Sequence, residues 1–189
     1  NEAANWHYMF GGASSVPMVI RPIINRKGEQ AAQHSQALHA WFSHIPGLKV
    51  VMPTTAYDAK GLMIAAIQDN NPVVYIDDRL LYDQEDPVPT KEYTVPIGKA
   101  RVARKGKDIT IGAISSMVPE ALKAAEALRK NRIDCEVIDL RSLKPIDEKT
   151  ILQSVRKTGR LVVADSGWLT YGASAEIAAI VCEKGFKSL

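Results

Sequence analysis

The chain carries only two cysteines, Cys135 and Cys182, each inside an apolar pattern with no close partner in sequence. That excludes a disulfide framework as the source of stability. Both are read as buried thiols in a reducing compartment, with one long-range disulfide left open. No apolar run is long enough to cross a membrane as a helix. The first residues show no secretory-signal pattern. Charge of one sign is also scarce: 24 Lys and Arg against 21 Asp and Glu leave a formal charge of +3, and the basic residues are scattered. A nucleic-acid-binding surface therefore has little support. There is no Gly-x-Gly-x-x-Gly and no phosphate loop, so nothing marks a nucleotide-binding domain. His39 and His44 do not join His34 in a helical metal-ligand spacing and bring no acidic or thiol companion. They are read as surface or interface histidines.

What is present is an ordinary globular composition, 46% hydrophobic and 24% charged over 189 residues. That length suits one large domain or two small ones. Asn1 is not a methionine and a helical pattern is already under way at Glu2, so the sequence is expected to be a piece of a longer chain, cut at both ends. Glu2 to Phe10 predicts an aromatic-rich helix stopped by Gly11-Gly12. Val16–Arg21, Leu48–Met52 and Val73–Ile76 predict buried strands. Helices are expected over Ala37–His44 and Thr55–Asp69, the second with Ala59, Leu62, Met63, Ala66 and Ile67 on one face. Alternating strands and helices imply an α/β fold with a mostly parallel sheet. Residues 81–94, acidic and proline-bearing, read as a linker between a unit at 1–80 and a second α/β unit at 95–189. In the second unit strands are expected at Ala100–Ala103, Ile109–Ile114, Cys135–Leu140 and Leu161–Asp165, with helices at Pro119–Lys130, Asp147–Lys157 and Gly172–Glu183. Right-handed parallel crossovers should join them.

The polar centre of the first unit is Gln33-His34-Ser35-Gln36, between a strand end and a helix start, where α/β proteins place ligands. His34, with an ordinary pKa of about 6.5, is the candidate for proton transfer near neutral pH. From the stretch alone, a helix-capping or loop histidine explains it equally well. Asp77-Asp78-Arg79 ends a strand and either reaches the site rim or forms a local ion pair. Trp6, Tyr8, Trp41 and Phe42 are read as core or subunit interface.

Taken in order, the motifs Ala32-Gln33-His34-Ser35-Gln36, Ile45-Pro46-Gly47-Leu48-Lys49-Val50-Val51-Met52-Pro53, Asp58-Ala59-Lys60-Gly61-Leu62, Asp69-Asn70-Asn71-Pro72-Val73-Val74, Val95-Pro96-Ile97-Gly98-Lys99-Ala100, Val137-Ile138-Asp139-Leu140-Arg141-Ser142-Leu143-Lys144-Pro145 and Gly167-Trp168 with Gly172 form one set. Each motif is weak alone; the ordered set is specific and spans essentially the whole chain. It closely resembles the beta subunits of the thiamine-diphosphate-dependent first component of 2-oxo acid dehydrogenase complexes, of the pyruvate and branched-chain type.

The resemblance implies a truncated pyrimidine-binding-type domain followed by an incomplete transketolase C-terminal-type domain. It implies an alpha2beta2 heterotetramer whose alpha subunit grips the diphosphate and magnesium of thiamine diphosphate. The reaction implied is oxidative decarboxylation of a 2-oxo acid, with acyl transfer to a lipoylated dihydrolipoyl acyltransferase. His34 falls on the family's active-site histidine, acting around the reaction centre and the incoming lipoyl group. The family's pyrimidine-binding glutamate would lie upstream of residue 1. Asp69 and Asn71, with backbone carbonyls of Met18 and Ala66, fall where some members hold a structural potassium ion; a plain turn and cap explains Asp69-Asn70-Asn71 as well. The expected location is the cytoplasm, or the matrix of a mitochondrion or plastid in a eukaryote. Two alternatives stay open: a transketolase-like or acetoin-cleaving subunit, and a non-catalytic assembly piece. One departure stands out. Between Arg21 and the His34 motif the loop Pro22–Gln30 has a single glycine, Gly28, where many members have several. This puts substrate size in question.

Overall fold

A computed structural model describes residues 1–26 and 30–189. In chain order the elements are α1 (Glu2–Met9), β1 (Val19–Ile20), β2 (Ile23–Ile24), α2 (Ala31–His34), α3 (His39–His44), β3 (Lys49–Val51), α4 (Ala56–Ile67), β4 (Val73–Tyr75), β5 (Asp77–Asp78), β6 (Arg101–Arg104), β7 (Ile109–Ala113), α5 (Met117–Arg129), β8 (Cys135–Asp139), β9 (Ser142–Lys144), α6 (Glu148–Thr158), β10 (Leu161–Ala164) and α7 (Ala173–Gly185). Lys27, Gly28 and Glu29, the middle of the altered loop, lie outside the described residues. No helix among the described residues is long and apolar enough to cross a membrane.

Local chemistry explains the helix ends. Thr55 accepts the Asp58 N–H at 3.1 Å to cap α4, and Asp147 accepts the Thr150 N–H at 3.2 Å to cap α6. Gly159, at φ +67°, closes α6 in the left-handed conformation that glycine tolerates. The buried stripes are Leu62 and Ala66 on α4, Ile151, Leu152 and Val155 on α6, and Ile177, Ile180 and Val181 on α7. Such stripes dock a helix on a sheet.

There are two four-stranded sheets, ordered β1-β4-β3-β9 and β10-β7-β8-β6. The expected parallel pairings are present: β1 and β3 flank β4, and β7 lies between β8 and β10. Strands β6 and β9 run antiparallel to their neighbours. Strand β9 was not expected at all. It leaves the second sheet's neighbourhood and pairs with β3, Val50 opposite Lys144, so the later half of the chain completes the earlier half's sheet. The run Val16–Arg21 contributes only Val19–Ile20 as strand, and the helix expected from Ala37 begins at His39.

Where the two sheets meet, one apolar cluster runs through both. It holds Val50, Met52, Val74 and Ile76 together with Ile114, Ile138, Leu140 and Ile151. Charged groups are threaded through the same seam. Asp58 on α4, 1% exposed, receives Arg141 Nη1 at 2.9 Å and faces Arg101 at 3.7 Å. Arg101 also donates to the fully buried Asp139 at 3.0 Å, and the Thr54 hydroxyl donates to the other Asp139 oxygen at 3.1 Å. Burial pushes the Asp139 carboxyl up to about 6, although Arg101 and Thr54 favour its ionised form. Arg141 sits at φ +54°, and its carbonyl accepts the Met52 N–H at 2.7 Å.

The 81–94 segment has no strand of its own but does not hang free. Lys60 on α4 donates to the carbonyls of Thr90 and Lys91, the Tyr57 and Tyr93 rings stack at 4.3 Å, and Val95 donates to the Gly61 carbonyl at 3.0 Å. Cys135 is buried as expected, whereas Cys182 is exposed on α7, because it falls on the face opposite Ile177 and Val181; both thiols are free.

Removing one member of a buried ion network leaves the partner charge uncompensated, at a cost of about 3–5 kcal/mol. Asp58→Ala is expected to lower folding stability by that amount, read from urea unfolding. A loss near zero would mean that Arg141 and Arg101 find other partners.

Candidate functional site

The expected catalytic histidine closes the short helix α2 and is exposed. It lines a cavity of about 320 Å³ whose apolar wall is Ile23, Ile24, Leu38, Phe42 and Ile76 and whose polar rim is Asn25, Gln30, Gln33, His34, Gln36 and Arg79. The cavity exists because β2 pairs in parallel with β5, Ile23 opposite Asp77, and draws the 22–26 segment beside 76–79. Neither two-residue strand shows periodicity, so sequence reasoning missed both.

Asn25, 8% exposed, is the junction of this site and was also missed. Its N–H donates to the His34 carbonyl at 3.2 Å, and its carbonyl accepts the Ser35 hydroxyl at 3.0 Å. Its side-chain oxygen accepts Arg79 Nη1 at 3.0 Å while its amide nitrogen donates to Gln30. One buried residue thus holds the His34 backbone and the Arg79 guanidinium in fixed relation.

The acidic pair beneath is neutralised locally. Arg21 Nε donates to Asp77 at 2.6 Å. Burial raises the Asp77 carboxyl above its ordinary range despite Arg21 and Tyr82. Buried Asp78 accepts Arg26 at 2.9 Å and the Ser116 hydroxyl at 2.6 Å. Both alternatives for Asp77-Asp78-Arg79 are therefore realised: the aspartates make ion pairs, and Arg79 reaches the rim.

Met18, Ala66, Asp69 and Asn71 lie at one corner, where the oxygens of the first three already have partners. The Met18 carbonyl accepts the Val73 N–H at 2.9 Å and the Ala66 carbonyl accepts the Asp69 N–H at 3.3 Å. Asp69 accepts the Asn71 N–H at 2.9 Å through one oxygen and the Lys49 ammonium through the other. Burial alone would raise the Asp69 carboxyl; Lys49 and Asn71 outweigh it and hold it below its ordinary value. No group of three or more His, Cys, Asp or Glu suited to a metal ion occurs among the described residues.

His39 corrects its surface or interface reading. It is fully buried at the start of α3, with Nε2 3.0 Å from Oδ1 of Asp165 at the end of β10, which the first half of the chain therefore grips. A Cβ on Gly167 would come within 2.8 Å of the His39 ring, so the close approach requires glycine there. Burial alone would raise the Asp165 carboxyl. His39 and the backbone N–H groups of Gly167 and Ser174 overcome that and hold it below the ordinary range. His44 lines a neighbouring groove with Trp41, Trp168 and Tyr171. Trp41 is 64% exposed and Tyr8 is 90% exposed, so neither belongs to this chain's core.

Comparison with known proteins bears on both halves. Residues 1–84 match the transketolase pyrimidine binding domain and residues 98–189 match the transketolase C-terminal domain. A pyruvate dehydrogenase E1 component subunit beta of Rickettsia felis is 47% identical over 189 residues, covering 100% of this chain and 58% of that protein. The acetoin:2,6-dichlorophenolindophenol oxidoreductase subunit beta of Cupriavidus necator is also 47% identical, over 100% of this chain and 56% of that protein. Among solved structures, split gene transketolase as an inactive beta4 tetramer superposes with a TM-score of 0.78 at 25% identity, over 97% of this chain and 60% of that one. The chain thus spans a little over half the length of the curated relatives it matches.

The Asp165 carboxyl titrates lower in the folded state than in an unfolded chain, where its pKa is about 3.9. Its contribution to stability is present above that value and is lost as pH falls through the folded value. Asp165→Asn is therefore expected to flatten the acid limb of stability against pH below about 4 while also lowering stability at neutral pH. Urea midpoints measured from pH 2.5 to 7 check this; an unchanged acid limb would show that Asp165 does not carry it.

Proposed function

Because the chain belongs to the transketolase-type family, carrying its pyrimidine-binding and C-terminal domains in order, we propose that it is the beta-subunit segment of a thiamine-diphosphate-dependent 2-oxo acid dehydrogenase. The observation that carries this reading is the cavity at His34, with an exposed imidazole above an apolar wall and an amide rim. That wall suits the flank of a planar heterocycle. No carboxylate lines the cavity among the described residues. The acid that such a cofactor's pyrimidine needs is therefore not in this lining, and the diphosphate and magnesium are assigned to a separate alpha subunit. When bound, thiamine diphosphate supplies a nucleophilic carbon and a sink for the electron pair released as CO2 leaves.

This chain's part is proton handling and exclusion of water. The His34 imidazole exchanges a proton at the oxygen on the substrate's second carbon, and again at the sulfur of the incoming lipoyl group of an acyltransferase. Ile23, Ile24, Leu38 and Phe42 supply the apolar side of the cavity, which limits water at that exchange once ligand and partner subunit cover its open side. The division into units at 1–80 and 95–189, joined by 81–94, belongs to the same proposal. The acetoin-cleaving reading is kept as a second one, since the Cupriavidus necator relative is as similar as the Rickettsia felis one.

The test uses the full-length subunit assembled with its alpha partner. Wild type should release CO2 from a 2-oxo acid only in the assembly. His34→Ala should fold and assemble normally, because an exposed side chain contributes little burial, and should lower turnover by about 10²–10⁴-fold. Normal turnover in that variant would make His34 structural.

Potassium at Met18, Ala66, Asp69 and Asn71 is proposed as a second, structural ligand, supported by the hydrogen bonds that tie the Met18, Ala66 and Asp69 segments together at the end of α4. Lys49 is its built-in competitor. If the ion binds, the melting temperature in potassium should exceed that in a large organic cation at equal ionic strength, and Lys49→Met should widen the difference. Equal melting temperatures in both variants would leave Lys49 as the only cation there.

A further inference from the structure

Three arginines flank the paired segments β2 and β5, and only Arg79 lines the His34 cavity. Arg21 is paired with Asp77 and Arg26 with Asp78. Arg79 has no carboxylate partner among the described residues. Among the described residues its guanidinium donates to a neutral oxygen, Oδ1 of Asn25, which fixes it without cancelling its charge. Asn25 is fixed in turn by His34, Ser35 and Gln30. A half-buried guanidinium lining a cavity with an apolar wall, held in place and with no carboxylate partner among the described residues, is a preformed receptor for a carboxylate, which its planar fork binds through two hydrogen bonds.

From this geometry we infer that Arg79 is the residue that selects an anionic 2-oxo acid over a neutral hydroxyketone, a role that rests on the reading of the cavity as the substrate site. The kind of contribution follows from the chemistry. The carboxylate that Arg79 holds is the group lost as CO2, so the contact exists in the bound substrate and weakens as the bond breaks. Arg79 therefore contributes to binding and not to the rate of the bound complex. His34 has the opposite signature.

The experiment compares wild type, Arg79→Gln and Arg79→Lys in the full-length subunit assembled with its alpha partner. Kinetics are measured with pyruvate as the anionic substrate and acetoin as the neutral one. Binding of oxamate, an unreactive 2-oxo carboxylate, is measured separately by calorimetry. For Arg79→Gln, KM for pyruvate and Kd for oxamate should both rise about 10- to 100-fold, the range expected for one charge-assisted pair. Its kcat should hold or rise, and any acetoin turnover should be unaffected. Arg79→Lys, which keeps the charge but not the fork, should recover part of the loss; if the glutamine variant does not fold, a several-fold loss in the lysine variant carries the test. Unchanged oxamate binding, or a fall in kcat at constant KM, overturns the assignment. If the wild type turns over no 2-oxo acid, the proposed function fails by itself, and oxamate binding still decides whether Arg79 receives a carboxylate.

Discussion

The two halves of this molecule are registered by buried charge. Asp58, Arg141, Arg101 and Asp139 lie in the seam between the sheets, each held by groups from elements far apart in the chain. Apolar contacts around them supply most of the burial, but hydrophobic packing is tolerant of small slips. An ion network is not, because a displaced partner leaves the buried Asp58 or Asp139 short of a counterion, even though Arg101 itself keeps contact with water. The seam is therefore where geometry is set, and the position of His34 relative to the second half follows from it. Asp78 extends the same logic to the rim: the Ser116 hydroxyl from the second half and Arg26 from the first meet on one carboxylate.

The site itself is built economically around Asn25. A buried side-chain amide offers one acceptor and two donors in a fixed plane. Here the acceptor faces Arg79 and a donor faces Gln30, while the backbone of the same residue ties down the His34 segment. The local order of the loop that carries His34 is thus set by hydrogen bonds and less by packing. That suits a loop which must present exposed polar groups to ligands.

The alternation of elements and most helix positions were legible in the sequence because their causes are local. Thr55 and Asp147 cap helices through N–H groups three residues away, and the stripe on α4 repeats within a few turns. His34 was legible as a polar tip and as part of an ordered motif set. What escaped was non-local or too short for a period to appear. Strands β2, β5 and β9 have two or three residues each, and a strand that short shows no alternation. The His39–Asp165 pair joins residues from opposite halves, and neither neighbourhood announces a partner. Asn25 resembles any loop asparagine until Arg79 is placed beside it. Cys182 was misread because an apolar helix pattern does not say which of its small residues turns outward.

Strand β9 has a consequence for how the chain comes into being. On a ribosome β1, β3 and β4 emerge well before residues 142–144. Until those arrive, one edge of the three-residue β3 is bare, with backbone donors and acceptors facing outward and the buried Val50 and Val51 on it. An open, apolar strand edge invites pairing with a neighbouring chain. The nascent first half therefore depends on a later segment as its own edge guard, and cooperative folding has to wait for the whole of this stretch.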